Sequence, residues 1–188
     1  MTACTRRDAV TRLLVGLAAG ALTTSAALAQ AVPPPAELSS ELPGARLSGG
    51  GRLTFFGLQV YDARLWVTSD FKAASFEQAP IALELVYARK LVGSLIADRS
   101  IEEMRRQSEL APEKVARWLA SMKQIFPDVA SGDRLTGVHV PDSAARFFLN
   151  GKLVGEIRDA EFARLFFGIW LSPRTSEPKL RNALLAGG

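Results

Sequence analysis

The chain has 188 residues, 48% of them hydrophobic and 22% charged, with a formal net charge of +4 at pH 7. That is enough apolar material for the core of one ordinary globular domain, and it argues against a disordered or fibrous chain. A single cysteine, Cys4, and a single histidine, His139, leave little from which to build a disulfide, a zinc site or a Ser-His-Asp triad, so neither metal nor cofactor is expected.

The first residues read as an export signal. Arg6, Arg7 and Arg12 precede the apolar run Leu13 to Leu22, and Ala27-Leu28-Ala29 is a small-x-small cleavage site, which places the mature start at Gln30. A membrane anchor would need about twenty strongly apolar residues, whereas this run is short, alanine-rich and interrupted by Thr23, Thr24 and Ser25. The expected organisation is a signal peptide over residues 1–29, a proline-rich leader over 30–41 and one domain over 42–188, in a periplasmic or secreted protein with no membrane span after cleavage. Cleavage removes three Arg, one Asp and Cys4, lowering the formal charge from +4 to about +2. The remaining cations are scattered among carboxylates without a basic block, so no nucleic-acid partner is expected.

Val32-Pro33-Pro34-Pro35 opens the leader as an extended segment. The stretch Gly49 to Trp66 then reads as a strand buried on both sides, or a hairpin, with Arg52 at its mouth. At period two Arg52, Thr54 and Phe56 share one face, and Leu53 and Phe55 the other. Gly57 marks a bulge that decides whether Tyr61 faces the same space as Arg52. Residues 69–80 are polar and broken, and Ile81 to Tyr87 alternates as the next strand. From Val92 the period becomes helical. Ser100-Ile101-Glu102-Glu103 reads as a capping box that starts or restarts a helix through Gln107. Pro112 suits the first turn of a second helix, which carries Val115, Trp118, Leu119, Met122 and Ile125 on one side and ends at Pro127. Leu135 to Val140 returns to strand, with His139 expected at the surface or in a hairpin. Asn150-Gly151 between apolar runs is a strong hairpin signal. Asp159 caps a helix with the stripe Phe162, Leu165, Phe166, Ile169 and Trp170, and Ser176 with Pro178 opens a short last helix. Strands, helices, strands and helices in that order, without a βαβ rhythm, predict an α+β fold: an antiparallel sheet with a helical layer on one face.

Five segments together carry a family likeness: Gly-Gly-Gly-Arg52, Phe55 to Trp66, the loop Phe126-Pro127-Asp128, the hairpin Phe147 to Gly151, and the ending Phe166 to Arg181. The sequence resembles the bacterial chalcone isomerase-like family from about Leu42 to its end. The resemblance implies an open-faced antiparallel sheet whose helical layer encloses an apolar cleft, and it implies either a fatty-acid-binding protein or an isomerase. Plant chalcone isomerases hold the substrate with an arginine and support the developing charge with a tyrosine, a lysine, an asparagine and hydroxyls. By that resemblance Arg52 answers to the arginine and Thr175 or Ser176 to a hydroxyl. The strand threonine falls on Phe56, with Thr54 a step away, and the helix tyrosine and asparagine fall near Ser100 and Gln107. With Phe56 and Ser100 in place of two donors, ring closure of a chalcone is not expected.

The functional expectation is therefore a non-catalytic binder of a small hydrophobic or amphipathic ligand such as a fatty acid, anchored by Arg52. Arg52, Thr54, Tyr87, Gln107 and Thr175 form the expected ligand-contacting set. The alternatives are an isomerase or lyase acting on a small phenolic or enone substrate, and an accessory periplasmic protein with a vestigial cleft. An open cavity ending at Arg52 would separate the first two readings from the third. A tyrosine hydroxyl facing that arginine would favour the isomerase.

Overall fold

The computed structural model describes residues 32–187 together with Met1; apart from Met1, the expected export signal and its cleavage site lie outside the described residues. Six strands, β1 (Arg46–Phe55), β2 (Leu58–Val67), β3 (Ile81–Tyr87), β4 (Arg134–Val140), β5 (Ala144–Leu149) and β6 (Lys152–Ile157), form one antiparallel sheet in sequence order. Helices α2 (Gly93–Arg105) and α3 (Pro112–Ile125) interrupt the meander between β3 and β4, and α4 (Ala160–Leu171) and α5 (Pro178–Leu184) follow it. This is the α+β arrangement expected, with the large helices on one face.

Alternation along the strands sorts the residues. Tyr61, Ala63, Leu65 and Val67 of β2, with Leu83, Leu85 and Tyr87 of β3, enter the main core, where they meet Phe162, Phe166 and Trp170 of α4. The intervening residues face the other side. There Arg52 pairs with Asp62, and Arg64 and the Trp66 indole N–H both reach the Glu84 carboxylate. A smaller core on that side joins Trp66, Ala82, Val138 and Phe148 to Leu38 and Leu42. Leu38 belongs to α1 (Leu38–Glu41), within the stretch expected to be the proline-rich leader. Packing begins earlier than Leu42, because the buried Glu37 accepts hydrogen bonds from Arg134 and Thr136 and fastens the segment to β4.

The Gly49 to Trp66 stretch is a hairpin, and it is not buried on both sides. Its turn is Phe56-Gly57, with φ of 48° and 77°, the two-residue geometry in which both positions are left-handed. The same geometry recurs at Asn150-Gly151, with φ of 49° and 86°, the turn that the sequence predicts. The glycines before Arg52 serve the other end of β1: a Cβ on Gly49 would collide with the Ala183 carbonyl, and one on Gly51 would lie 2.8 Å from Leu180 Cδ1. Their bareness lets α5 lie across the edge strand.

α2 is one helix through Ser100 and not a helix restarted there, since the Ser100 hydroxyl donates back to the Ile96 carbonyl, 2.8 Å away. Its start is capped from a distance by the Asp128 carboxylate, which accepts from the Gly93 N–H at 2.9 Å. Asp159 accepts from the Phe162 N–H and caps α4 as expected. His139 pairs with Ala145 in the β4–β5 hairpin, one of the two positions expected, but it is buried at 2% exposure and not at the surface. Its Nδ1–H donates to the Ala79 carbonyl and its ring lies beside Phe167, and burial pulls its pKa below the ordinary value.

Candidate ligand-binding cleft

Between the β1–β2 hairpin, β3 and the helical layer lies a cleft of about 440 Å³, within the range of small-molecule sites, ~300–1,000 Å³. Leu53, Val60 and Leu85 form its sheet wall, and Ile96, Phe166, Ile169 and Trp170 its helical wall. These walls follow from the alternation of β1 to β3 and from the apolar stripe of α4.

The polar groups at the cleft are few. Tyr61 and Tyr87 face each other across the β2–β3 ladder, ring centroids 5.9 Å apart and edge to face. The Tyr61 oxygen accepts from the Trp170 indole N–H at 2.9 Å, so its own hydrogen is free to donate. The Tyr87 hydroxyl has no hydrogen-bond partner among the described residues. Burial raises both phenols well above their ordinary pKa of 10.0, which keeps them protonated donors at neutral pH. On α2, Ser100, Arg99 and Glu103 line the wall, with the buried Glu103 carboxylate held by Arg99 Nη2 at 2.5 Å, and Arg89, Lys90, Glu177 and Ser176, the hydroxyl expected as the alternative to Thr175, also line the cleft.

The structure separates the expected site residues. Tyr87 lines the cleft. Arg52 does not: it lies on the opposite face of the sheet, 57% exposed, with its guanidinium against both Asp62 oxygens at 2.7 and 3.2 Å. That contact raises the Arg52 pKa and lowers that of Asp62. The cause is parity. Residues 52 and 62 are register partners and share a face, whereas Tyr61 points the other way. Thr54 lies on the same outer side, exposed near the hairpin tip. Gln107 is spent on structure, donating from Nε2 to the Leu165 carbonyl at 2.7 Å. Thr175 closes the turn after α4, donating to the Ile169 carbonyl at 2.6 Å and accepting from the Glu177 N–H. The cavity is open, but it does not end at Arg52, and the tyrosine hydroxyls at it do not face that arginine.

Sequence reasoning left the facing of Tyr61 open and passed over two further lining residues, Arg99 and Glu103. The signal for the last two was the spacing Ile96, Arg99 or Ser100, Glu103, which puts them on one side of an uninterrupted helix. Reading a capping box at Ser100 divided that side in two. Phe56, the expected counterpart of a strand threonine, sits in the turn instead of a strand.

Comparison with known proteins agrees with this fold. Residues 30–186 match the chalcone isomerase-like family. The chain belongs to that family. Among solved structures, this chalcone isomerase-like chain is similar in fold to the Arabidopsis thaliana fatty-acid binding protein AtFAP1, with a TM-score of 0.58 at 13% identity, over 76% of this chain and 87% of that one. It is also 29% identical over 137 residues to an uncharacterised protein of Haemophilus influenzae; the match spans 73% of this chain and 66% of that protein, just under two thirds of its length.

Among the described residues no cluster of His, Cys, Asp or Glu is placed to hold a metal ion. No described helix is long and apolar enough to cross a membrane.

Proposed function

We propose that this protein binds a small amphipathic molecule such as a fatty acid without transforming it, and that it does so after export. The observation that carries the reading is the cleft: an apolar volume of about 440 Å³ with two protonated tyrosines, Tyr61 and Tyr87, in its lining. The ligand's apolar part lies against Leu53, Val60, Leu85 and Ile169, and an oxygen at its polar end accepts from Tyr61 and Tyr87. The role expected of Arg52 passes to these neutral donors. Arg99 stands beside them with its charge already offset by Glu103, so the hydrogen bonds to the polar end come from the two hydroxyls.

Catalysis is less well served. A ring closure of the chalcone type needs a cation to hold the substrate phenolate beside the donors that support the oxyanion, whereas Arg52 lies on the opposite face of the sheet and Arg99, at the cleft, is already paired with Glu103. The solved neighbour is named a fatty-acid binding protein, which favours holding over turnover. Native mass spectrometry of protein purified from its own compartment, followed by calorimetry with fatty acids of several lengths, tests the proposal. A bound lipid-like mass and chain-length-dependent affinity are expected. An empty protein that takes up no fatty acid, or chalcone turnover abolished by changes at Tyr61 and Tyr87, would overturn it.

A further inference from the structure

Phe56 is 90% exposed and adopts a positive φ of 48°. A bulky aromatic residue is disfavoured in that conformation and gains nothing from burial there. The chain itself supplies the control, because its other two-residue turn has the same backbone and uses Asn150, the residue type the geometry favours. Phe56 is therefore poorly explained by the fold.

Its surroundings are equally unusual. The Phe55 ring lies 4.5 Å from that of Phe56, and Phe55 and its register partner Leu58 are 62% and 55% exposed. Phe55 also lines the cleft, as do the exposed Val92 and Leu95 at the start of α2. The apolar surface thus continues from the hairpin tip over the rim into the cavity. Arg89 and Lys90 stand exposed on the same rim and form no ion pair among the described residues. One exposed carboxylate, Glu177, also lines the cleft.

We propose that the mouth of the cleft is a docking surface for an anionic phospholipid bilayer. The Phe55, Phe56 and Leu58 tip and Leu95 enter the headgroup boundary, while Arg89 and Lys90 meet lipid phosphates. Exposed aromatics beside unpaired cations are the combination that holds peripheral proteins at such a surface. A protein partner would leave unexplained why the patch surrounds the opening of an apolar cavity, whereas a bilayer gives a lipid-like ligand a path that never crosses water. The inference rests on the ligand-binding reading, in that it says where the ligand is exchanged.

Co-sedimentation of the mature protein with vesicles of phosphatidylcholine alone, or mixed with phosphatidylglycerol, tests it. Fatty-acid affinity in solution is measured separately. Wild-type protein should favour the anionic vesicles and leave them as salt is raised. Phe56→Asn rebuilds an Asn-Gly turn and does not touch the cleft. It should weaken vesicle binding by about tenfold or more, leave fatty-acid affinity unchanged, and leave the unfolding midpoint unchanged or higher. Replacing Arg89 and Lys90 by Gln should cost about fivefold for each charge on anionic vesicles and little on neutral ones. Fatty-acid binding by a protein that ignores both vesicle types overturns the docking surface but leaves the ligand site standing. Unchanged vesicle binding by Phe56→Asn overturns it too, as does a loss of stability that shows Phe56 to be structural. A concentration-dependent self-association that Phe56→Asn abolishes, without vesicle binding, assigns the patch to a second copy of the chain instead.

Discussion

Tyr61 and Tyr87 are chemically alike and 5.9 Å apart, yet removing their hydroxyls should have opposite signatures. Tyr61→Phe takes the acceptor away from the Trp170 indole N–H, which is buried and otherwise bonded only there. An orphaned buried donor costs about 1–3 kcal/mol, so the variant should unfold earlier in urea by that amount. Tyr87→Phe leaves no protein group without its partner, because the hydroxyl has none among the described residues; stability should stay level or rise slightly. If the Tyr87 hydroxyl donates to the ligand, its loss removes one hydrogen bond from the complex, about 0.5–1.5 kcal/mol, or roughly two- to twelvefold in affinity. Equilibrium urea unfolding of ligand-free protein gives the first pair of numbers, and displacement of a fluorescent fatty acid gives the second. A Tyr87→Phe protein that loses more than about 1 kcal/mol of stability would show a structural role for that hydroxyl. Unaltered affinity in both variants would remove the tyrosines from the ligand site.

The other predictions concern the outer face, the buried histidine and the N-terminus. Arg52→Ala should leave fatty-acid affinity unchanged, since the side chain is on the far side of the sheet from the cleft; a clear loss by calorimetry would restore the anchor role. His139 has a folded pKa below its ordinary value of 6.5, so the unfolded chain binds the extra proton first. Its contribution is present above the ordinary value and is lost as pH falls through it towards the depressed one. Melting temperature should therefore decline on acidification through that window, and His139→Gln should flatten the decline; an equally steep fall in the variant refutes the assignment. N-terminal sequencing of the mature protein should begin at or near Gln30, and a protein that retains Met1 would not be exported by cleavage.

The sequence by itself determined the alternation of strands and helices and the core faces of α3 and α4. Asn150-Gly151 can only turn, Pro112 can only open a helix, and the stripe Phe162, Phe166, Trp170 has nowhere to go but a core, because these are statements about neighbours along the chain. The place of the site was decided by tertiary structure. Whether Arg52 or Tyr61 meets the ligand depends on parity across a two-residue turn, and a turn at Phe56-Gly57 is hard to recognise when its first residue is one the geometry disfavours. The start of α2 shows the same limit: the helical period begins at Val92, but Ser100 looks like a cap when read locally, and the group that does cap the helix, Asp128, lies 35 residues beyond Gly93. His139 follows the rule as well, since its burial comes from Ala79 and Phe167, both distant in sequence. Local chemistry sets what each segment is able to form, and long-range pairing sets which side chains then share a space.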